Sequence, residues 1–235
     1  LKLVTGGSAR ATVDSSGHVS IGTTTANRTF QVGKSGAETF ELEPGEAANN
    51  NLSLHFNRSS NQYITNEVRA IDHRFLSSTS EKVRINSNGL TFNGDTAAAN
   101  ALDDYEEGDW TPAITFGDSS TGITHNHQVG KYTKIGRVVL FQAYVQLSNK
   151  GSASGTMKIG GLPYTSANVS NAYSAISLRV NNSASGSEIP IGYVNVNDTR
   201  VVVNSQKTDG TGVNNWTNSS TNNNTDFILN GHYIV

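Results

Sequence analysis

Short runs of alternating apolar and polar residues dominate the first 94 residues of the chain. The clearest runs are "RATV", "HVSI", "TFQV", "NLSLHF" and "EKVRI", and clusters rich in Gly, Ser, Asn and Pro separate them. This pattern predicts β-strands joined by tight turns. Strands this short and this polar bury too little surface within one chain to offset the entropy of ordering. We therefore expect this segment to complete its core with other copies of the chain.

A glycine-centred hairpin pattern occurs twice in the same region. "DSSGHVSIGTT" at residues 14–24 is followed much later by the similar "NSNGLTFNGDT" at residues 86–96. An Asx or Ser residue shortly before Gly favours a turn that needs positive φ. The apolar phase after the central glycine differs by one residue between the copies, so the shared element is a turn motif and not a tandem repeat.

Residues 95–109 change in character. Asp95 or Thr96 can cap a short helix through Ala97 to Leu102, and an acidic stretch with Gly108 ends it. The acidic residues suit a solvated hinge, although paired carboxylates also occur in glycosidases and carboxylate oxygens bind calcium. We interpret the segment as a joint between two domains. The acidic residues are Asp103, Asp104, Glu106, Glu107 and Asp109.

Longer strands follow the joint. In "RVVLFQAYVQL" at residues 137–147, every second residue from Val139 to Leu147 is apolar. Period-two patterning over this length predicts a sheet with one buried face. Similar runs reach the C-terminus without a long helical pattern, which favours an antiparallel β-sandwich of jelly-roll type. The chain is therefore predicted to be all-β, with a stem at 1–94, a short helical joint at 95–109 and a head at 110–235.

Composition narrows the possible partners and chemistry. The formal net charge is −2 and charged residues make up 15% of the chain, without a Lys/Arg run, so neither nucleic acid nor membrane insertion is expected. The chain has no cysteine, which excludes disulfides and thiolate sites within it. Because Leu1 lies inside an apparent strand, we expect a C-terminal piece of a longer protein.

Four stretches together resemble the C-terminal part of bacteriophage tail fibres and receptor-binding proteins of marine or cyanobacterial type. They are "VDSSGHVSIGTT", "LDDYEEGDWTP", "VGKYTKIGRVV" and "IGGLPYTS", which span roughly residues 10–165. The first resembles the shaft motif DSSGNVGIGT and the second the junction motif LDDYEEGTWTP, the most specific of the four. The resemblance implies a homotrimer with an intertwined β stem and a distal head that contacts the host.

The segment at residues 204–226, "NSQKTDGTGVNNWTNSSTNNNTD", is the candidate receptor-binding site. It is almost free of aliphatic side chains and carries Trp216 near its middle. An indole among amides and hydroxyls suits a neutral sugar, although Trp216 can instead pack back on the sheet and pin the loop. The other candidate residues are Lys207, Asp209, Asn214, Asn215, Thr217 and Asn218.

His125 and His127 form a second, weaker candidate. Side chains alternate along a strand, so the two imidazoles are predicted to share one face. Three such pairs around a trimer axis would supply six nitrogen ligands for a divalent transition metal. Ordinary surface histidines are the favoured interpretation, and we expect no cofactor.

These features together predict a non-enzymatic adhesin in the distal tail fibre of a virion. Its partners would be a bacterial surface polysaccharide or an outer-membrane protein, and three weak sites would gain avidity by acting together. A polysaccharide depolymerase with carboxylates between protomers is one alternative. A purely structural fibre segment is another.

Overall fold

The computed structural model describes residues 1–23, 28–33, 38–47, 50–184, 186, 189–207 and 209–235. Strands account for 60% of the chain and helix for 3%, so the predicted all-β fold is confirmed. The chain divides into two compact units, Leu1–Ala70 and Ile71–Val235. Residues 71–94, which the sequence groups with the stem, belong to the second unit. No helix within the described ranges is long and apolar enough to cross a membrane.

The first unit is one sheet whose strands lie in sequence order. Neighbouring strands are antiparallel except for the third and fourth, which are parallel. Most connections are short turns, as the clusters of Gly and polar residues predict. The strands are β1 (Lys2–Thr5), β2 (Ser8–Val13), β3 (Val19–Ile21), β4 (Phe30–Gly33), β5 (Glu38–Ala47), β6 (Asn50–Asn57) and β7 (Gln62–Tyr63).

The repeated glycine motif forms a hairpin turn in both copies. The Asp14 carboxylate accepts hydrogen bonds from the backbone N–H groups of Ser16 (2.8 Å) and His18 (3.0 Å). In the second copy the Asn86 side chain accepts one from the Asn88 N–H at 2.8 Å. The first turn closes with Val13 opposite Val19, whereas the second closes with Asn86 directly opposite Gly89. These different loop lengths explain why the apolar phase differs between the copies.

Buried polar side chains form a row across the first-unit sheet. Thr12, Ser20, Gln31 and Glu41 are cross-strand neighbours, and all four are buried. The Glu41 carboxylate accepts hydrogen bonds from Thr39 (2.7 Å) and from the Arg58 guanidinium (2.8 Å from Nε). Burial by itself would raise the pKa of Glu41, but the hydrogen bonds from Arg58 and Thr39 outweigh it and lower the pKa. The pair thus stabilises a charge that would otherwise be costly to bury.

Replacing Arg58 tests the contribution of this ion pair. Arg58→Met removes the guanidinium that donates to the buried Glu41 carboxylate and leaves it with the more distant Arg28, whose Nε is 4.0 Å away, so we expect the free energy of local unfolding to fall by about 2–3 kcal/mol. Hydrogen exchange of the backbone amides in residues 50–57 measures it. Arg69→Met is the matched control, because both side chains of the Arg69–Glu67 pair are exposed. Loss of this pair should change the free energy of local unfolding, as measured by exchange, by less than about 0.5 kcal/mol. Equal effects of the two substitutions would contradict this account.

The second unit begins with a three-stranded antiparallel sheet. Its strands are β8 (His73–Ser77), β9 (Ser80–Asn86) and β10 (Gly89–Phe92). The predicted joint helix is reduced to one 3₁₀ turn, Ala98–Asn100. The Asp95 carboxylate accepts a hydrogen bond from the Ala97 N–H at 2.8 Å, but Ala97 is itself the N-cap residue and no side chain caps the turn, contrary to the cap predicted at Asp95 or Thr96. The helix ends early because Leu102 forms a β-bridge with Leu90, with N···O distances of 2.8 and 3.0 Å.

A curled sheet of ten strands makes up the rest of the second unit, in the order β11-β13-β14-β20-β16-β17-β18-β15-β12, with β19 beside β18. Apart from a second 3₁₀ turn at Asn218–Ser220, its elements are all strands. They are β11 (Tyr105–Trp110), β12 (Ala113–Phe116), β13 (Ile123–Ile135), β14 (Val138–Lys150), β15 (Met157–Gly160), β16 (Ser174–Ser183), β17 (Ile189–Val194), β18 (Arg200–Gln206), β19 (Val213–Asn215) and β20 (Thr221–Ile234).

The second half of the acidic stretch is regular structure: it forms strand β11, which pairs with β13 from Tyr105 opposite Ile135 to Trp110 opposite Gly130. The interpretation of residues 95–109 as a joint stays a prediction. The Glu106 carboxylate accepts hydrogen bonds from the Tyr132 and Tyr164 hydroxyls, which lowers the pKa of Glu106. The bond from Tyr132 connects β11 to β13, and the bond from Tyr164 connects β11 to the segment after β15.

The two halves of the curled sheet face each other across one hydrophobic core. The alternation predicted for residues 137–147 is confirmed, because Val139, Phe141, Val145 and Leu147 all point into this core. Ile114, Phe116, Ile159, Val201 and Val203 belong to the same cluster from the other half. Trp110 packs edge-on against Phe141, with ring centroids 6.0 Å apart. The head thus has the two packed layers that the sequence predicts, made from one continuous sheet.

Candidate functional site

Most of the predicted binding segment, residues 204–226, lies in regular structure. It contains the end of β18, the short strand β19, the second 3₁₀ turn and the start of β20. Strand β19 pairs with β18 from Asn204 opposite Asn215 to Gln206 opposite Val213. The Asn204 side chain donates to Asn215 Oδ1 at 3.1 Å, which joins the two strands further. The long irregular loop expected from the sequence is therefore a hairpin followed by a single turn.

Trp216 lies in the core and not at the surface. Its side chain has no exposed area, and its ring packs edge-on against Phe227 with centroids 6.4 Å apart. Its indole N–H donates to Thr221 Oγ1 at 3.2 Å, and its backbone N–H donates to the Val203 carbonyl at 3.3 Å. The proposed sugar-stacking role of Trp216 is thus wrong for this conformation. The alternative, in which the ring packs on the sheet and pins the segment, is what the structure shows.

Truncation of Trp216 should accordingly affect stability. Trp216→Ala removes a large buried ring and leaves a cavity, so we expect a loss of about 3–5 kcal/mol in the free energy of unfolding. Chemical denaturation followed by circular dichroism measures it. Val213→Ala in the same hairpin is the control, because the Val213 side chain is 51% exposed and its loss should cost less than about 0.5 kcal/mol. A stable Trp216→Ala protein would contradict this placement.

The remaining predicted residues fall into two groups. Lys207 and Asp209 belong to the turn before β19, where the Asp209 carboxylate accepts from the Thr211 N–H (2.9 Å) and hydroxyl (2.7 Å). These hydrogen bonds lower the pKa of Asp209. Asn214 is exposed on β19. Thr217 and Asn218, in contrast, line a groove with residues from another part of the chain.

This groove, called the end groove below, is a polar depression of about 560 Å³. Its volume lies within the range of small-ligand sites. It forms where the segment after β14 meets the 3₁₀ turn before β20. The described lining residues are small or polar and none is aromatic. They are Lys150, Ser152, Ala153, Ser154, Gly155, Thr217, Asn218 and Ser219.

Hydrogen bonds between its two walls hold the end groove in shape. The Lys150 ammonium donates to the carbonyls of Asn218 (3.1 Å) and Thr221 (2.8 Å). In return the Asn218 amide donates to the Lys150 carbonyl at 2.9 Å. Lys150 and Asn218 therefore serve mainly to fix the backbone. The hydroxyls of Ser152, Ser154, Thr217 and Ser219 also line the groove, and those of Thr217 and Ser219 hydrogen-bond to each other at 2.8 Å.

Close backbone contacts support the groove from below. A Cβ atom on Gly151 would lie 2.3 Å from the Thr121 carbonyl oxygen, and one on Gly117 would lie 2.3 Å from the Ser154 carbonyl oxygen. Both glycines also have positive φ, at +66° and +57°. Larger residues would therefore push these segments apart. The glycines keep the groove wall next to the turn that precedes β13.

The end groove is at the end of the head that is remote from the joint. Asp104 accepts a hydrogen bond from the Gly136 N–H (2.8 Å), in the turn between β13 and β14. Lys150 is the last residue of β14, a 13-residue strand, which spans about 40 Å. The chain thus enters the head at one end of this strand, and the groove opens at the other.

Six of the eight lining residues were not among the candidates named from the sequence: Lys150, Ser152, Ala153, Ser154, Gly155 and Ser219, of which Ser219 lies in the predicted segment 204–226. The signal available for the first five was "NKGSASGT" at residues 149–156, a run of small polar residues between two apolar strands. Such a run predicts a loop. That it meets residues 217–219 depends on the pairing of β14 with β20, which the sequence does not reveal.

His125 and His127 do not share a face. A bulge places His125 opposite Leu147 but His127 opposite Gln146, so Asn126 is the extra residue. His125 faces the core side and accepts the Ile114 N–H on Nε2 at 3.3 Å, while His127 packs against Tyr144 on the outer side. The predicted pairing of the two imidazoles on one face is therefore wrong. Within the described ranges, no group of three or more His, Asp or Glu side chains is placed to hold a metal ion.

The contact made by His125 predicts a dependence of stability on pH. Burial lowers the pKa of His125 in the native state, and its Nε2 must be unprotonated to accept the Ile114 N–H. The unfolded chain therefore binds the proton more readily. The contribution of the His125 contact to the free energy of unfolding should be complete above the unfolded pKa of about 6.5. It should decline as the pH falls below that value, by at most about 1.4 kcal/mol per pH unit.

Denaturation at pH 7.5 and pH 5 measures this effect. His125→Gln should reduce the loss of stability on acidification, whereas His127→Gln, with its exposed ring, should keep the wild-type dependence. If the two variants respond alike, the His125 contact does not cause the pH dependence.

Comparison with protein families and with curated proteins finds no match. Among solved structures, the crystal structure of the Dettilon tailspike protein (gp208) is similar, with a TM-score of 0.49 and 25% sequence identity. The alignment covers 58% of this chain and 25% of that chain, so this chain spans about a quarter of its length. That protein is a phage tail protein, the broad class whose fibre motifs the sequence resembles.

This similarity corrects one prediction. From the sequence we expected a protein that is not an enzyme, but the similar structure is a tailspike, and tailspikes are often polysaccharide-degrading enzymes. A missing catalytic motif in one chain does not establish a non-enzyme, because a cleft between protomers leaves no local motif. The chain is accordingly not assigned as a non-enzyme.

Proposed function

We propose that this chain is the distal part of a bacteriophage tail fibre and that it attaches the virion to its host by binding a cell-surface glycan in the end groove. The observation that carries the proposal is the end groove itself. It presents hydroxyl groups on two walls fixed by hydrogen bonds, at the end of the head remote from the joint.

The chemistry of the groove suits sugar hydroxyls. A hydroxyl can both donate and accept, so serine and threonine side chains match the alternating donors and acceptors of a saccharide. The Lys150 ammonium has three hydrogens, of which two are used by described carbonyls. A further hydrogen bond to an acceptor on the glycan is therefore available. Recognition would rest on polar contacts, because the buried Trp216 offers no ring for stacking.

The position of the groove also suits a receptor-binding site. A fibre holds its receptor-binding surface away from its attachment to the virion, and the end groove opens at the far end of β14 from the joint. The sequence resemblance implies a homotrimer, which would present three equivalent grooves. Three weak sites that act together give high avidity without any new contact.

A bulky substitution in the groove tests the proposal. Ser219→Trp fills the groove at an exposed position, so we expect at least a tenfold loss of binding of the purified chain to susceptible host cells. Ser170→Trp is the matched control, because Ser170 is exposed in a turn outside the groove, and binding should be unchanged. Fluorescently labelled protein and flow cytometry measure both.

Two other outcomes are informative. If both variants bind like the wild type, the receptor contacts another surface and the groove assignment is overturned. If protease treatment of the cells abolishes binding but removal of surface glycans does not, the receptor is an outer-membrane protein and the glycan assignment is overturned. Reducing sugar released from isolated surface polysaccharide, measured in parallel, would show depolymerase activity.

A further inference from the structure

The first-unit sheet buries polar side chains and exposes apolar ones, the reverse of an isolated globular sheet. Its buried row is Thr12, Ser20, Gln31 and Glu41. The opposite face carries two rows of mainly apolar residues, in which Leu3 is 62% and Ile21 is 43% exposed. The rows are Leu3, Ala11, Ile21, Val32 and Phe40, and Val13, Val19, Phe30 and Leu42.

The three-stranded sheet of the second unit has the same arrangement. Its cross-strand register places Phe75, Val83 and Phe92 in one row and His73, Ile85 and Leu90 in the next, all on one face. Phe75 is 58%, Phe92 is 49% and Ile85 is 46% exposed. The charged residues Arg74 and Arg84 are directly opposite each other and alternate with these positions, so they lie on the other face.

We propose that copies of this chain associate through these two apolar faces. The first-unit face is defined by the two apolar rows above, and the three-stranded face by Phe75, Val83, Ile85, Leu90 and Phe92. The inference rests on the homotrimer included in the proposed function, and it names the surfaces that form it.

The size of the faces indicates that they are covered in the functional protein. The three-stranded face alone exposes roughly 300 Å² of apolar side chain, since an aromatic residue has about 150–250 Å² to bury. A patch of that size is at the lower end of the largest apolar patch on a typical single chain, which is often functional. A sheet that is hydrophobic on one face must also bury that face against another element.

A second copy is the partner that fits both faces. The rows that define them contain no Asp, Glu, Lys or Arg, so they offer no charge pattern to select a different protein. A partner must instead present apolar surface to each of two separate sheets. Another copy does so by symmetry, because around a rotation axis each face meets its own equivalents. The three-stranded face alone is smaller than the about 800 Å² per partner of a standard interface, so it supplies only part of the surface through which copies associate.

Cysteine cross-linking tests the proposal directly, because the natural chain has no cysteine. Single variants Phe75→Cys, Ile85→Cys and Phe92→Cys place a thiol on the three-stranded face, and Arg74→Cys places one on its charged side. A short flexible bismaleimide should link chains at least fivefold more efficiently for at least one face variant than for Arg74→Cys. Denaturing gels of the intact chain measure the linked fraction.

A charge variant provides the second measurement. Ile85→Asp should weaken association at least tenfold by light scattering, whereas Arg74→Asp on the other face should not. Fluorescence of the buried Trp110 and Trp216 verifies that the head stays folded in both. An oligomeric chain in which no face variant cross-links above the Arg74→Cys level would overturn the interface. So would a monomeric wild-type chain at micromolar concentration.

These outcomes are separate from those of the glycan proposal. Ser219→Trp should lose host-cell binding and still cross-link through Phe75→Cys, because the end groove and the three-stranded face share no residue. Loss of cross-linking with host-cell binding intact would overturn the interface alone.

Discussion

Packing of two halves of one curled sheet against each other is the interaction on which the rest of the head depends. The space between the halves is filled by Trp110, Phe141, Trp216 and Phe227. The packing of the halves fixes the positions of the strand ends. The end groove forms because two of these ends, the end of β14 and the start of β20, are adjacent in the sheet. Its polar walls therefore rely on an apolar core that lies directly beneath them.

The apolar faces of the other two sheets have no facing layer within the described part of the chain. Each has one face that pairs polar or charged groups with one another, as Glu41 does with Arg58, and one face that is apolar. Without a facing layer, the hydrophobic effect within a single chain contributes little to their stability. Their order is therefore expected to depend on assembly more strongly than the order of the head does.

Alternation along the chain was enough to predict the strands and the core positions of β14. It was not enough to place Trp216, because the burial of that ring depends on a single 3₁₀ turn and on Phe227 two elements away. Nor could it place the two histidines, since a bulge adds one residue without a mark in the sequence. Of the residues that line the end groove, the sequence singled out Thr217 and Asn218 as candidates. The other wall of the groove comes from residues about 65 positions earlier, and only the pairing of β14 with β20 brings the walls together.

The way the end groove is held together separates its shape from its specificity. Backbone carbonyls, Lys150, Asn218 and the glycines define the shape. The hydroxyls of Ser152, Ser154, Thr217 and Ser219 line the groove, and they are the proposed ligand contacts. Substitutions at these four positions can therefore accumulate with little effect on folding. A virus whose host alters its surface sugars would have a set of positions at which its host range can evolve while the head keeps its architecture.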